Sequence, residues 1–362
     1  MENESCNITL DVDKVGLTSI YSLAFSLGLP ANLLSLWGLY KVGLSDGGVQ
    51  LVFLVNLLLS DLLQLLTLPL WMVYLDNSHK WNYDSLACNF LAYIFYVNLY
   101  SSIGFLCLIA LDRYLAIVHP LSSRGVRQVR VAILSSLATW ISMLFFCMIG
   151  LYPTVYNSTR MLCLESYPVT ERYASFKIGT VILGFFLPTA VLGYTSTHIA
   201  FALRDSPSIH VHDRHKIVGT LIIITVIFFA IFGPYHLVGA YKFVAFFLVA
   251  DKCQLEQALF LCYRLCFGLT SLNNLLDPLL YIFMCTDTRH KLKQSLPSCQ
   301  LAIQHLERLM NSGDKGEDNV DSNPYASVSP VPTAPRKSIL ELRVQLLDEA
   351  LPLFQCYTIL RP

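Results

Sequence analysis

Residues 86–118 read LACNFLAYIFYVNLYSSIGFLCLIALDRYLAIV, an apolar stretch that carries Asp112-Arg113-Tyr114 near its end, before a basic loop. About 20 mostly apolar residues are enough for a helix to cross the hydrocarbon of a bilayer. Charged side chains at the water edge of such a helix are tolerated when they are paired or functional. The stretch therefore predicts a membrane helix with a charged switch at one end.

The composition of the whole chain also indicates a membrane protein. Of 362 residues, 54% are hydrophobic and only 14% are charged, and the mean hydropathy is +0.53. A water-soluble surface could hardly accommodate this balance. The formal net charge is zero, so no nucleic-acid partner is expected. Residues 1–14 contain acidic side chains and no apolar run, so we expect no signal peptide before the first span.

Seven apolar runs reach or approach the length of a membrane span. They cover residues 17–40, 48–75, 86–118, 131–151, 174–203, 217–249 and 258–284. No repeat relates the two halves, which disfavours a transporter. Neither His-Glu-x-x-His nor Gly-x-Ser-x-Gly occurs, so no enzyme is expected. We therefore predict an all-α membrane protein in which residues 17–285 form a seven-transmembrane helix bundle.

The charges of the loops predict how the bundle lies in the membrane. Basic residues predominate in one set of loops: Lys41, Arg124, Arg127, Arg130, Arg204, Arg214, Lys216, Arg289, Lys291 and Lys293. The other set is mixed or acidic. Cytoplasmic loops carry the excess of Lys and Arg. We therefore expect a multi-pass plasma-membrane protein with an extracellular N-terminus, residues 1–16, and a cytoplasmic C-terminus.

Sequons and cysteines agree with this orientation. The sequons of Asn3, Asn7 and Asn157 fall in segments assigned to the outside, where glycosylation occurs. Four of the eleven cysteines also lie in outer segments: Cys6, Cys88, Cys163 and Cys253. Four cysteines allow three pairings. Free thiols are the alternative.

The segments after the seventh span are predicted to lie on the inner side. Residues 286–298 alternate basic and apolar side chains at helical spacing, which predicts a short amphipathic eighth helix resting on membrane lipids. Cys299 follows directly and is a candidate for palmitoylation. The cytoplasmic tail, residues 299–362, includes a region rich in Ser, Pro, Gly and Asp and is expected to be largely disordered.

Two carboxylates lie inside apolar spans, Asp61 in the second and Asp277 in the seventh. Carboxylates at such depth are costly unless they find a proton, a cation or hydrogen-bond donors. Other spans offer polar side chains: Asn32, Ser102, Asn273 and Asn274. Such a cluster can hold an allosteric Na⁺ at Asp61, or a proton. The alternative is a polar network that is satisfied without an ion, and no other cofactor is expected.

Two further segments, residues 228–236 (FFAIFGPYH) and 273–281 (NNLLDPLLY), complete a pattern that resembles the rhodopsin-like (class A) G-protein-coupled receptors. The resemblance implies a heterotrimeric G protein and an arrestin as partners. The residues expected to couple to the G protein are Asp112, Arg113, Tyr114, Pro120 and Leu121. It also implies a Cys88–Cys163 disulfide, which leaves Cys6 with Cys253. A non-signalling receptor-like protein is the alternative, but its usual mark, a degraded Asp-Arg-Tyr, is absent.

Several short stretches resemble the proton-sensing and lysolipid subgroup of this class, especially its oxidised-fatty-acid and lysophosphatidylcholine-associated member. They are residues 68–71 (LPLW), 77–81 (NSHKW), 93–100 (YIFYVNLY), 122–125 (SSRG), 233–236 (GPYH) and 270–273 (TSLN). The resemblance covers about 280 residues and leaves out the tail. It implies a small lipid or protons as the ligand.

The residues near the outer ends of the spans favour an anionic ligand. Phe95 stands where monoamine receptors carry an amine-binding Asp, so a biogenic amine is not expected. Three cations, Lys177, Lys242 and Arg264, accompany a set of ring side chains: Tyr93, Phe95, Tyr96, Tyr235 and His236. A basic rim above an aromatic cavity suits an anionic lysolipid or oxidised fatty acid. Snorkelling of each basic side chain to the headgroups is the alternative.

Protons are the alternative ligand, and their detection needs groups that titrate near about pH 6 to 7. The candidates are His79, His236 and Glu165. Arg264 stands where the acid-sensing members carry a histidine, and Met143 replaces their glutamate in the fourth span. We therefore expect acid sensitivity to be reduced or absent.

Overall fold

The structure is a computed structural model that describes residues 6, 8–42, 44–152, 155–204 and 211–284. Among these residues, seven helices are long and apolar enough to cross a membrane, and we number them span 1 to span 7. They are Leu10–Tyr40, Gly48–Asp76, Ser85–Val118, Val129–Leu151, Glu171–Arg204, Ile217–Leu248 and Lys252–Leu280. The prediction of an all-α, seven-span bundle is confirmed. Asn3, Asn7, the proposed eighth helix (286–298), Cys299 and the tail (299–362) lie outside the described residues.

The helices of the spans are divided into segments by local changes of geometry. In chain order the segments are Leu10–Asp13 (3-10), Lys14–Leu23, Ala24–Gly28 (π), Leu29–Val42, Leu44–Asp76, Ser85–Val118, Val129–Leu151, Glu171–Val181, Ile182–Phe186 (π), Leu187–Arg204, Val211–Val226, Ile227–Phe232 (π), Gly233–Leu248, Lys252–Leu269, Thr270–Leu272 (3-10) and Asn273–Met284.

Each π segment ends two residues before a proline: Pro30, Pro188 or Pro234. Proline lacks an amide hydrogen, and its ring crowds the carbonyl four residues earlier. The helix relaxes this clash by widening its hydrogen-bond pattern on the N-terminal side of the proline. Spans 1, 5 and 6 are therefore distorted at positions that the sequence marks.

The predicted and observed spans differ most at the starts of spans 1 and 7. Span 1 begins at Leu10 rather than at residue 17, and span 7 begins at Lys252 rather than at residue 258. The additional turns carry Asp13 and Glu256, which are charged and are fully buried. Hydropathy excludes such residues from a span, but each finds a partner of opposite charge in the folded bundle.

Span 3 is the most buried of the seven spans, and span 4 is the least. Aromatic side chains pack against span 3 along its length. Phe95 stacks on Phe267 of span 7 with ring centroids 4.5 Å apart, and Phe105 meets Trp140 of span 4 at 5.9 Å. Most of the buried hydrophobic residues form one continuous core.

Both disulfides lie at one end of the bundle, hereafter the disulfide end; the opposite end is the Asp112 end. Cys88, at the start of span 3, bonds to Cys163 with a Cα–Cα distance of 5.7 Å, and Cys6 bonds to Cys253 at 5.2 Å. Cys163 belongs to a two-stranded antiparallel hairpin, Tyr156–Asn157 with Leu162–Cys163. The pairing that the resemblance implies and the pairing that remains after it are therefore both present.

Candidate functional site

A cavity of about 390 Å³ opens at the disulfide end, between the hairpin and spans 3, 5, 6 and 7. Eight aromatic side chains line it: Tyr96, Tyr156, Tyr167, Tyr173, Phe243, Phe260, Tyr263 and Phe267. Lys242, Arg264 and Glu165 add charge to the wall. A cavity of this size, apolar with a few polar groups, suits a small amphipathic molecule.

Arg264 is engaged by two carboxylates at the edge of this cavity. Its Nε lies 2.6 Å from Asp13 Oδ2, and its Nη2 lies 3.0 Å from Glu165 Oε1. His79 contacts the same two carboxylates, with Nδ1 2.9 Å from Glu165 Oε1 and Nε2 3.0 Å from Asp13 Oδ1. We call these four residues the ion network. It ties the start of span 1, the loop after span 2, the hairpin segment and span 7 together.

The charge of His79 follows from its surroundings. Burial disfavours the protonated ring, but the hydrogen bonds with Asp13 and Glu165 outweigh burial and raise the pKa of His79 to about 9. The side chains of Asp13, His79 and Glu165 are at most 1% exposed. Protonated His79 and Arg264 together balance the two carboxylates, so the ion network is neutral at physiological pH.

Lys242 is paired as well. Its Nζ lies 2.7 Å from Glu256 Oε2, and both side chains are buried. The same ammonium lies 4.6 Å from the ring centroid of Tyr263, which adds a cation–π contact. This pair links span 6 to the first turn of span 7.

Lys177 of span 5 is buried further inside the bundle and has different partners. Its Nζ donates to the hydroxyl of Tyr96 at 2.6 Å and to the hydroxyl of Tyr235 at 2.7 Å. It also lies 3.9 Å from the ring centroid of Tyr96. Among the described residues, no carboxylate lies within salt-bridge distance of this ammonium.

The remaining residues predicted for a ligand pocket lie outside the cavity wall. The hydroxyl of Tyr93 donates to the carbonyl of Leu144 in span 4, and Phe95 stacks on Phe267. His236 stacks on Phe185, with ring centroids 5.6 Å apart, and its ring nitrogens have no hydrogen-bond partner among the described residues. Tyr96, Lys242 and Arg264 thus line the cavity, while Lys177 and Tyr235 lie behind it.

The polar side chains predicted to form a core do come together in the middle of the bundle. Asn273 Nδ2 donates to Ser102 Oγ at 3.2 Å and to Asp277 Oδ2 at 3.2 Å, and lies 3.5 Å from Asp61 Oδ1. Asn98, which the sequence did not single out, donates to Asp61 Oδ1 at 3.2 Å.

The two asparagines on the other side of this core are also bonded. Asn32 Nδ2 donates to the carbonyl of Asn274 at 2.7 Å, and Asn274 Nδ2 donates to Gln64 Oε1 at 3.1 Å. One oxygen each of Asp61 and Asp277 accepts no hydrogen bond from a described residue, although both are fully buried.

At the opposite end, Asp112 is held by three side chains. Gln50 Nε2 donates to Asp112 Oδ2 at 2.8 Å, Arg127 Nε donates to Oδ1 at 3.0 Å, and Arg113 Nη2 lies 3.7 Å from Oδ2. Tyr114 meets Tyr194 of span 5, hydroxyl to hydroxyl, at 3.3 Å. Of the two cations around Asp112, Arg113 is the more distant.

Residues 17–281 match the family described as 7 transmembrane receptor (rhodopsin family). The chain belongs to the rhodopsin family of seven-transmembrane receptors. It is 33% identical over 294 residues to the human "Probable G-protein coupled receptor 132", covering 80% of this chain and 76% of that protein.

Two other relatives span similar lengths. The human "G-protein coupled receptor 65" is 29% identical, covering 80% of this chain and 88% of its own length. The rat "Uracil nucleotide/cysteinyl leukotriene receptor" is 30% identical, covering 83% and 88%. As a member of this family the protein is a multi-pass membrane receptor that signals through G proteins; it is not an enzyme.

Sequence reasoning missed several residues of the receptor's sites. Asp13 and Glu256 belong to the mixed or acidic segments and were not predicted to pair, although they bind Arg264 and Lys242. Gln50 and Arg127 were not expected to hold Asp112. For Asp13 and Glu256 the sequence shows only an acidic residue next to an apolar run, which does not identify a partner.

Asn157 of the receptor is the one predicted glycosylation site within the described residues. It lies on the first strand of the hairpin, half-buried in the cavity wall, and its Oδ1 accepts a hydrogen bond from the amide of Arg160 at 3.2 Å.

Proposed function

We propose that this receptor detects an anionic lipid, either a lysolipid or an oxidised fatty acid, in the cavity at the disulfide end. The observation that carries the proposal is the cavity itself, which is rich in aromatic side chains, of small-molecule size and lined by the cations Lys242 and Arg264. One relative is named for uracil nucleotides and cysteinyl leukotrienes, which are both anionic. An anionic head bound among cations, with its apolar chain against aromatic rings, matches such a wall.

In this proposal the disulfide end faces the outside of the plasma membrane, with the N-terminus extracellular and the C-terminus cytoplasmic. The loop charges and the sequon of Asn157 support this orientation. The Asp112 end then meets the heterotrimeric G protein and arrestin. Leu121, beside Pro120 in the loop after span 3, is 75% exposed and offers an apolar contact for either partner. The exposed apolar faces of the spans contact membrane lipids.

The experiment that tests the function is a screen in cells that express the receptor. Lysolipids and oxidised fatty acids are applied at constant pH, acidification is applied in lipid-free medium, and second messengers of all G-protein classes are recorded. A saturable response to an anionic lipid at constant pH supports the proposal. A response to acid alone supports the alternative, a proton-sensing receptor.

The charge of His79 in the ion network decides whether this residue can act as a proton sensor. Because the pKa of His79 is raised from about 6.5 to about 9, its stabilising contribution is complete below about pH 6.5 and is lost as the pH rises through about 9. Acidification from about pH 7.5 to 6.5 barely changes its charge. We therefore do not expect His79 to be a sensor of mild acid.

The expected pH dependence is instead alkaline. The melting temperature of the purified receptor should fall as the pH is raised from about 8 to 10, and this fall should be smaller in His79→Gln. A different result would contradict the lipid proposal: a steep activation of signalling between about pH 7.5 and 6.5 in lipid-free medium. This activation would be lost in the double variant His79→Phe, His236→Phe and kept in Arg264→Ala. That outcome would support proton sensing.

We also propose that the polar core binds Na⁺. The buried oxygens of Asp61 and Asp277 that accept no hydrogen bond from a described residue fit a small cation that prefers oxygen ligands. Replacing Na⁺ by choline at equal ionic strength should lower the melting temperature of the wild-type receptor, because an ion bound to the folded state stabilises it. In Asp61→Asn this difference should vanish. An equal response of both proteins to Na⁺ would contradict the site.

A further inference from the structure

The three cations near the cavity differ in their partners. Arg264 is balanced within the ion network, and Lys242 is balanced by Glu256 at 2.7 Å. Lys177 is bound by phenol oxygens and ring faces, and no carboxylate of the described residues lies within salt-bridge distance. The charge that an anionic ligand would complement is therefore that of Lys177.

The surroundings of Lys177 leave a charged ammonium incompletely compensated. Its side chain is 1% exposed, and burying a charge without an opposite charge is costly. Phenol hydroxyls and aromatic faces supply part of the lost hydration. An ammonium has three N–H donors, and the described residues accept two hydrogen bonds from it. A carboxylate or phosphate oxygen would complete this site.

The cavity and Lys177 share one wall. Tyr96 and Tyr173 both line the cavity, and their hydroxyls are hydrogen-bonded at 2.9 Å. On the other side, Lys177 Nζ lies 3.9 Å from the ring centroid of Tyr96 and 5.1 Å from that of Tyr173. The displacement of this tyrosine pair would therefore bring the ammonium into contact with the cavity contents.

We propose that Lys177 binds the anionic head of the ligand, which separates Tyr96 from Tyr173, while Arg264 and Lys242 keep their carboxylate partners and hold the end of the bundle together. The inference rests on the proposed function, since it identifies the residue that recognises an anionic lipid. Both hydroxyls can then donate to the same head group. The shared ligand chemistry is a carboxylate or phosphate on an acyl chain.

The test compares ligand charge with receptor charge. One arm uses a hydroxylated C18 fatty acid and its methyl ester, and the other uses 1-oleoyl lysophosphatidic acid and 1-oleoyl glycerol. In whichever pair activates the wild-type receptor, the anionic lipid should be about ten- to hundredfold more potent than its neutral counterpart. This is the factor expected from one hydrogen bond to a charged group. Lys177→Gln should lose that preference and respond to both members alike, whereas Lys177→Arg should keep part of it.

The matched control is Lys252→Gln, which removes a lysine charge at the same end of the bundle; Lys252 does not line the cavity and pairs with Glu171 at 3.6 Å. It should keep the preference of the wild type. Surface expression is measured for every variant. If Lys177→Gln does not reach the surface, Lys177→Met removes the same charge without adding a polar group, and it takes its place in the test.

The outcomes separate the inference from the function on which it rests. If the wild type prefers the anion and Lys177→Gln prefers it equally, or if the control loses the preference, Lys177 is not the anion site although the proposed function stands. Loss of both Lys177 variants from the surface would assign Lys177 to the fold and overturn the inference. If the wild-type receptor responds to neither arm, the proposed function itself fails.

Discussion

Arg113→Ala is expected to abolish G-protein activation while ligand binding changes by no more than a few-fold. The proposed role of Arg113 is to leave Asp112 on activation and to contact the G protein. In the structure its Nη2 lies 3.7 Å from Asp112 Oδ2, and its side chain is 21% exposed. Asp112 keeps Gln50 and Arg127 as donors when Arg113 is removed, so the folded receptor should be retained.

The measurement is agonist-driven nucleotide exchange at matched surface expression, beside ligand binding to the same membranes. Arg127→Ala is the matched control, because it removes the closer cation from Asp112 and leaves Arg113 in place. This control should still activate the G protein. Full signalling by Arg113→Ala at normal surface expression would refute the coupling role.

Arg264→Met is expected to destabilise the receptor by about 3–5 kcal/mol, the usual cost of removing one partner from a buried charge pair. The substitution leaves Asp13 and Glu165 with His79 as the remaining cation of the ion network. Two buried carboxylates then share one positive charge. Surface expression and the melting temperature of the purified receptor should both fall.

A second substitution identifies the cause of that loss. Adding Glu165→Gln to Arg264→Met removes the surplus carboxylate and should restore part of the stability, as a double-mutant cycle would reveal. The control is Lys252→Met, because the Lys252–Glu171 pair is solvent-exposed and 3.6 Å long. Its effect should be no more than about 1 kcal/mol. A receptor with Arg264→Met that melts like the wild type would show that the ion network does not stabilise the fold.

Hydropathy and short motifs predicted different features of the receptor, and hydropathy failed at two places. Hydropathy located the seven spans because a membrane helix must be apolar along most of its length, whatever its neighbours are. It failed at the starts of spans 1 and 7, where Asp13 and Glu256 are buried with partners. The Asp-Arg-Tyr motif identified the family because its residues are adjacent in the chain.

The sequence by itself therefore determined the membrane environment, the seven helices and the family, since each depends on local composition or on short motifs. It also placed three cations, Lys177, Lys242 and Arg264, near the outer ends of the spans, but it did not show which of them have carboxylate partners. Only the tertiary structure decided that two of them are neutralised and that Lys177 is bound by phenols. The carboxylates responsible, Asp13, Glu165 and Glu256, reach their partners through tertiary packing, which no local pattern encodes.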